Sequence, residues 1–189
     1  FLPETAKYTF QWEILDIGLD PEFLFTTETE AELLGKFEML PLYKPREKFS
    51  LDHIIPTEID AYYRNQSVHG YVHDMGAAMQ GGVGRHAGIF SNANDVAKMM
   101  QMYLWDGEYG GDKYFKEGTI EYFASTPYID KENRRGIGFD KPEMDYSKDG
   151  PTFQGVSGFS FGHTGFTGTM VWIDPEKEIV YIFLSNRIY

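Results

Sequence analysis

One stretch of the chain repeats its apolar residues at clear helical spacing. Val96, Met99, Met100, Tyr103 and Leu104 recur at intervals of three and four, so they line one helix face. Ser91 or Asn92 can cap this helix, Asp95 sits near its positive end, and Gly107 ends it. The methionine stripe reads as core packing. A short helix is expected over Glu117 to Ala124, where Pro127 stops its continuation. A third is expected over Thr26 to Phe37, with Thr27 as N-cap, Glu30 at the capping-box position, and Leu33, Leu34 and Phe37 on one side.

Strand patterns occur at Tyr8 to Ile14, Arg135 to Phe139, and Thr169 to Ile173. The last leads through Asp174-Pro175-Glu176-Lys177 into Ile179 to Leu184, the clearest hairpin in the chain. Ile179 to Leu184 is apolar on both faces and predicts a central strand covered on each side by helices. Leu40 to Lys48, with two prolines, and Lys141 to Gly150 read as loops. Residues 51–90 show little periodicity and hold four of the five histidines, which predicts a long functional loop.

Composition narrows the possibilities. With 189 residues, 42% of them hydrophobic, the chain can bury a sizeable core. A net charge of −12 argues against a nucleic-acid backbone or an anionic membrane surface as partner. There is no cysteine, which excludes disulfides, thiolate zinc sites and a cysteine nucleophile. No apolar run is long enough to span a membrane. Phe1 and Tyr189 both read as cut ends rather than natural ones.

The densest candidate for chemistry is Gly162-His163-Thr164-Gly165-Phe166-Thr167-Gly168-Thr169, which runs straight into the apolar Met170 to Ile173. Its glycines allow close approach to a strand edge, while His163 and the threonines supply polar groups. Other motifs compete weakly. His69, His73 and Asp74 have a spacing that suits a metal on a helix, but Gly70 lies between the histidines. Gly155-Val156-Ser157-Gly158 lacks the spacing of a nucleophile elbow. No serine is followed three residues later by lysine, and no phosphate-binding glycine loop occurs.

Several segments in order carry a resemblance. They are Val68-His69-Gly70-Tyr71-Val72-His73-Asp74, Gly81 to Ser91, the helix start Asn94-Asp95-Val96-Ala97-Lys98, Gly162-His163-Thr164-Gly165, and Ile182 to Arg187. Together they resemble the serine β-lactamase-related family, which also holds class C β-lactamases, penicillin-binding DD-peptidases and related esterases. The likeness covers about residues 50–189 and leaves 1–50 as an unassigned N-terminal segment before a domain over 51–189. It implies an α+β sandwich whose antiparallel sheet is flanked by helices. It also implies a bacterial, periplasmic or otherwise extracytoplasmic hydrolase without cofactor or metal.

In that family a serine attacks an acyl carbonyl while a lysine and a tyrosine handle its proton. Carried over, His163 takes the place of the third-motif lysine and the backbone N–H of Phe166 becomes the oxyanion donor. Thr164, Gly165 and Thr167 line the substrate. A neutral imidazole at 163 favours an ester or peptide over a β-lactam carboxylate. Two departures stand out. Ser-x-x-Lys is missing, and Tyr63-Arg64-Asn65, which spells the second motif, lies where the family has a linker. The expectation is therefore the back half of a serine acyl-hydrolase site without its nucleophile. The alternatives are a non-catalytic module for cell-wall peptide or glycan, and a metallohydrolase on His69, His73 and Asp74. A dimer or a second, complementing chain is the further expectation.

Overall fold

The structure, a computed structural model, describes residues 10–12, 43–84 and 86–189. The helix expected over Thr26 to Phe37 lies outside them. The chain divides into two units, one drawn from Phe1–Val96, Gly165–Thr169 and Phe183–Tyr189 and the other from Ala97–Thr164 and Met170–Ile182.

In the first unit, β1 (Phe10–Trp12) pairs antiparallel with β4 (Ile89–Ser91). Residues 51–90 are not the single loop expected. They hold an antiparallel hairpin, β2 (Pro56–Asp60) and β3 (Gln66–His69), and a short helix α1 (Met75–Met79). The pattern hid β2 because its buried positions are polar: Thr57 and Asp60 point inward. The Asp60 carboxylate accepts the backbone N–H groups of Tyr62, Tyr63 and Arg64 at 3.1, 2.8 and 3.0 Å, so it builds the hairpin turn. Tyr63 stands exposed in that turn beside Asn65, whose φ is +51°. Asp74 caps α1 by accepting the Ala77 N–H at 2.7 Å. Ile54, Val68, Val72, Ala77, Ala87, Phe90 and Val96 are buried apolar residues of this unit.

Helix α2 (Ala93–Leu104) begins at Asn92, one of the two residues expected to cap it. Asn92 Oδ1 accepts the N–H groups of Asn94 and Asp95, and its Nδ2 donates to Asp95 Oδ2 at 2.7 Å. Asn92 thus caps the helix, and Asp95 holds its side-chain amide in place. At the other end the Gly107 N–H donates to the Met102 carbonyl at 2.8 Å with φ +89°. A side chain there would collide with Phe115, so glycine is required twice over.

The second unit continues from α2. It contains the small ladder of β5 (Glu108–Tyr109) and β6 (Asp112–Lys113), then helix α3 (Thr119–Ala124). The sheet follows, in the order β7 (Phe161–Thr164), β8 (Met170–Asp174), β9 (Ile179–Phe183). Met100, Met102, Phe161, Val171, Trp172 and Ile173 are buried. Tyr103 of α2 touches Phe115 and Phe139, and Phe139 meets Phe161 at 4.8 Å between ring centres, which ties helix to sheet.

Two strand expectations change here. Arg135 to Phe139 is irregular, because Gly138 turns at φ +85° and Gly136 packs against the carbonyls of Phe123 and Ser125. β9 is an edge strand among the described residues, and Ile179, Tyr181 and Phe183 are each about half exposed. Its two apolar faces do not mark a strand covered on both sides. No helix among the described residues is long and apolar enough to cross a membrane.

Candidate functional site

Register fixes the glycine-rich stretch. In the second unit β7 pairs antiparallel with β8, setting Gly162 opposite Trp172, His163 opposite Val171 and Thr164 opposite Met170. A Cβ at Gly162 would lie 2.1 Å from the Val171 carbonyl oxygen and 2.6 Å from the Trp172 ring, so only glycine fits under the indole. The other edge of Gly162 exchanges backbone hydrogen bonds with Asp140, at 2.7 and 3.1 Å. Asp140 is itself held by Arg134 at 2.7 Å and Arg135 at 3.5 Å.

His163 Nδ1 donates to the Thr164 carbonyl at 2.7 Å, while Nε2 is buried without a hydrogen-bond partner among the described residues. The imidazole therefore acts first on the backbone of its own strand. Thr164 is exposed.

In the first unit, Gly165–Thr169 is a closed loop. The Gly165 N–H donates to the Thr169 carbonyl at 2.8 Å and the Gly168 N–H to the Gly165 carbonyl at 3.0 Å. Gly168 has φ +101°, and Ser185 Oγ donates to its carbonyl at 2.6 Å. Arg187 ties the loop down twice, its N–H donating to the Thr167 carbonyl at 2.9 Å and its Nε to the Phe166 carbonyl at 2.7 Å. Thr167 is buried. The Phe166 N–H donates to nothing among the described residues, and its side chain is 53% exposed.

The Phe166 ring stacks on the His73 imidazole at 5.1 Å and 19°, with the Arg187 guanidinium 5.2 Å from its centre. His73 Nε2 lies 3.4 Å from Glu58. Arg64 gathers this region: it pairs with Glu58 at 2.5 Å and Asp60 at 2.8 Å, and donates to the Val72 and His73 carbonyls. Its guanidinium, with the turn N–H groups, holds the Asp60 carboxyl well below the usual range. Asn186 Nδ2 donates to the Pro56 and Thr57 carbonyls at 2.6 and 2.9 Å, joining the C-terminal segment to β2. The sequence did not single out Glu58, Asn186 or the arm of Arg187. Asn186 and Arg187 fall within the resembling segment Ile182 to Arg187, whereas Glu58 lies in none of those segments.

The histidines of residues 51–90 have four separate posts. His53 meets Ser50, His69 donates to the Ile54 carbonyl at 2.6 Å, His73 faces Glu58 and Phe166, and His86 donates to Asp74 at 2.8 Å. Burial alone raises the Asp74 carboxyl, but the Ala77 N–H and His86 outweigh it, so the group titrates lower than usual. The metal reading on His69, His73 and Asp74 fails to find this geometry, since each is committed elsewhere. No group of three such side chains suited to a metal occurs among the described residues.

The buried serines of the second unit are also committed. Ser157 donates through Oγ and N–H to Asp174 at 2.6 and 2.8 Å, and Ser160 accepts the Trp172 indole N–H at 3.0 Å. Neither is poised as a nucleophile.

A family model described as Beta-lactamase matches residues 45–189. A protein of Salmonella enteritidis PT4 named "Putative D-alanyl-D-alanine carboxypeptidase" is 39% identical over 127 residues, which cover 66% of this chain and 28% of that protein. One of the same name from Escherichia coli K12 is 34% identical over 151 residues, 74% of this chain and 34% of that protein. The chain thus spans about a third or less of the length of these relatives.

Proposed function

The chain belongs to the β-lactamase family, and from that premise we propose that it forms the substrate-edge and oxyanion side of a serine acyl-hydrolase site. The Phe166 N–H is the oxyanion donor, and the backbone of Gly165–Thr167 is the wall against which the substrate lies. The observation that carries this is the Phe166 N–H, which has no acceptor among the described residues and sits at the centre of a loop pinned by Ser185 and Arg187. A preorganised donor of this kind contributes about 3 kcal/mol to the stabilisation of a tetrahedral oxyanion. Gly165 lets substrate approach the backbone and the buried Thr167 anchors the loop, while Thr164 closes β7 with an exposed hydroxyl.

His163 holds the Thr164 carbonyl through Nδ1, a tie to its own strand. The substrate class we infer is a peptide ending in D-alanyl-D-alanine, or a related ester, in an extracytoplasmic protein of which residues 51–189 form one functional part. A second reading, a module that holds such peptides without cleaving them, is favoured by Ser157 and Ser160 both being committed to other partners. Both readings expect the 189-residue chain to remain unacylated when treated with a fluorescent penicillin. Stoichiometric labelling would overturn both. Saturable binding of acetyl-D-alanyl-D-alanine thioester without turnover separates the second reading from the first only in the whole protein, where the first predicts turnover.

A further inference from the structure

In a chain of net charge −12, one pocket of the first unit reverses the local sign. It encloses about 620 Å³, and its lining holds Lys44, Arg46, Arg64 and His69 but no Asp or Glu. A volume of that order suits a small-molecule ligand. Arg64 is neutralised by Glu58 and Asp60, and His69 gives its Nε2 to the Ile54 carbonyl. The charges left are Lys44 and Arg46, neither with a carboxylate partner among the described residues.

Arg46 is held in place by packing. Its stem crosses Gly70, where a Cβ would come within 2.5 Å of Arg46 Cγ, and its guanidinium lies 4.7 Å from the Tyr71 ring centre. A stacked guanidinium keeps its edge free to take a carboxylate through two parallel hydrogen bonds. The Ser67 hydroxyl adds a polar contact, and Leu51, Val68 and Phe90 give the pocket an apolar wall.

We propose that this pocket binds a small organic carboxylate carried on a partly apolar body, with Arg46 and Lys44 taking the charge. The two nearest sources of that chemistry are a peptide C-terminus and a sugar acid. The inference goes beyond the acyl-hydrolase reading and stands whether or not the protein forms an acyl-enzyme.

The test titrates the full 189-residue chain with two pairs of probes, followed by calorimetry or ligand-observed NMR. Acetyl-D-alanyl-D-alanine is compared with its C-terminal amide, and N-acetylmuramic acid with N-acetylglucosamine. We expect one acid to bind and its uncharged counterpart not to; which acid binds identifies the source. Binding should weaken as salt rises from about 30 to about 300 mM. It should fall at least tenfold in Arg46→Ala and less in Arg46→Lys. Lys44→Gln, a change at an exposed residue, should weaken it several-fold and serves if Arg46→Ala fails to fold. Absence of binding by both acids, equal binding of an uncharged probe, or full affinity in Lys44→Gln and a folded Arg46→Ala would overturn the proposal.

Discussion

Lys141 offers a prediction that needs no substrate. Its side chain is buried, its Nζ donates to the Phe159 carbonyl at 3.1 Å, and the Phe161 ring lies 5.9 Å away. Burial lowers its pKa from 10.5 to about 8. That displacement corresponds to about 3 kcal/mol disfavouring the ammonium in the fold at neutral pH. Lys141→Met keeps the unbranched stem and gives up one hydrogen bond, a loss of about 1 kcal/mol. We therefore expect the variant to be more stable by about 2 kcal/mol at pH 7.

The pH dependence carries the sharper signature. Between pH 8 and 10.5 the unfolded chain holds the Lys141 proton and the folded chain has released it, so this residue's contribution makes stability rise with pH across that window. Urea denaturation of both proteins from about pH 7 to 11 isolates the effect as a difference, since other titrating groups cancel. The advantage of the variant should shrink steadily through the window. A constant difference, or a variant less stable throughout, would refute the burial of an ammonium at this position.

Three further outcomes are expected. Asp174→Asn should cost about 3 kcal/mol at pH 7, because the carboxylate accepts from Ser157 twice and from the Lys177 N–H. Burial raises the Asp174 carboxyl while these donors outweigh it and lower its pKa below 3.8, so the difference from the native chain should fade as pH drops below that value. Asn92→Ala should lower stability by about 1 kcal/mol by removing the cap of α2, readable in thermal unfolding. Under the acyl-transfer proposal, Phe166→Pro in the whole protein, which deletes the N–H, should slow acylation by about 10²- to 10³-fold. Phe166→Ala, which keeps the N–H but loses the His73 stack, should slow it far less.

Legibility followed the physics of each segment. Helix α2 could be read because its stripe, its Asn92 cap and its Gly107 stop agree with one another. The β8–β9 hairpin could be read for the same reason. The β2–β3 hairpin could not, since Asp60 faces inward to build the turn and breaks the expected alternation. Arg135 to Phe139 looked like a strand, yet Gly136 and Gly138 serve a backbone turn there. For the site, Gly162 to Thr169 stood out through its glycines. The stack of Phe166 on His73 joins residues 93 positions apart, as the sequence numbers give, and no local pattern signals a contact at that range. Arg64 drew notice only inside a misleading Tyr-x-Asn match, whereas its work is to bind Glu58, Asp60 and two carbonyls.

We propose a chain that carries an oxyanion wall without an attacking serine. Intact-mass analysis of the 189-residue chain after incubation with benzylpenicillin tests it most directly. We expect an unchanged mass, because Ser157 and Ser160 are committed to Asp174 and Trp172 and no serine precedes a lysine at the required spacing. A one-to-one penicilloyl adduct on any serine would contradict it.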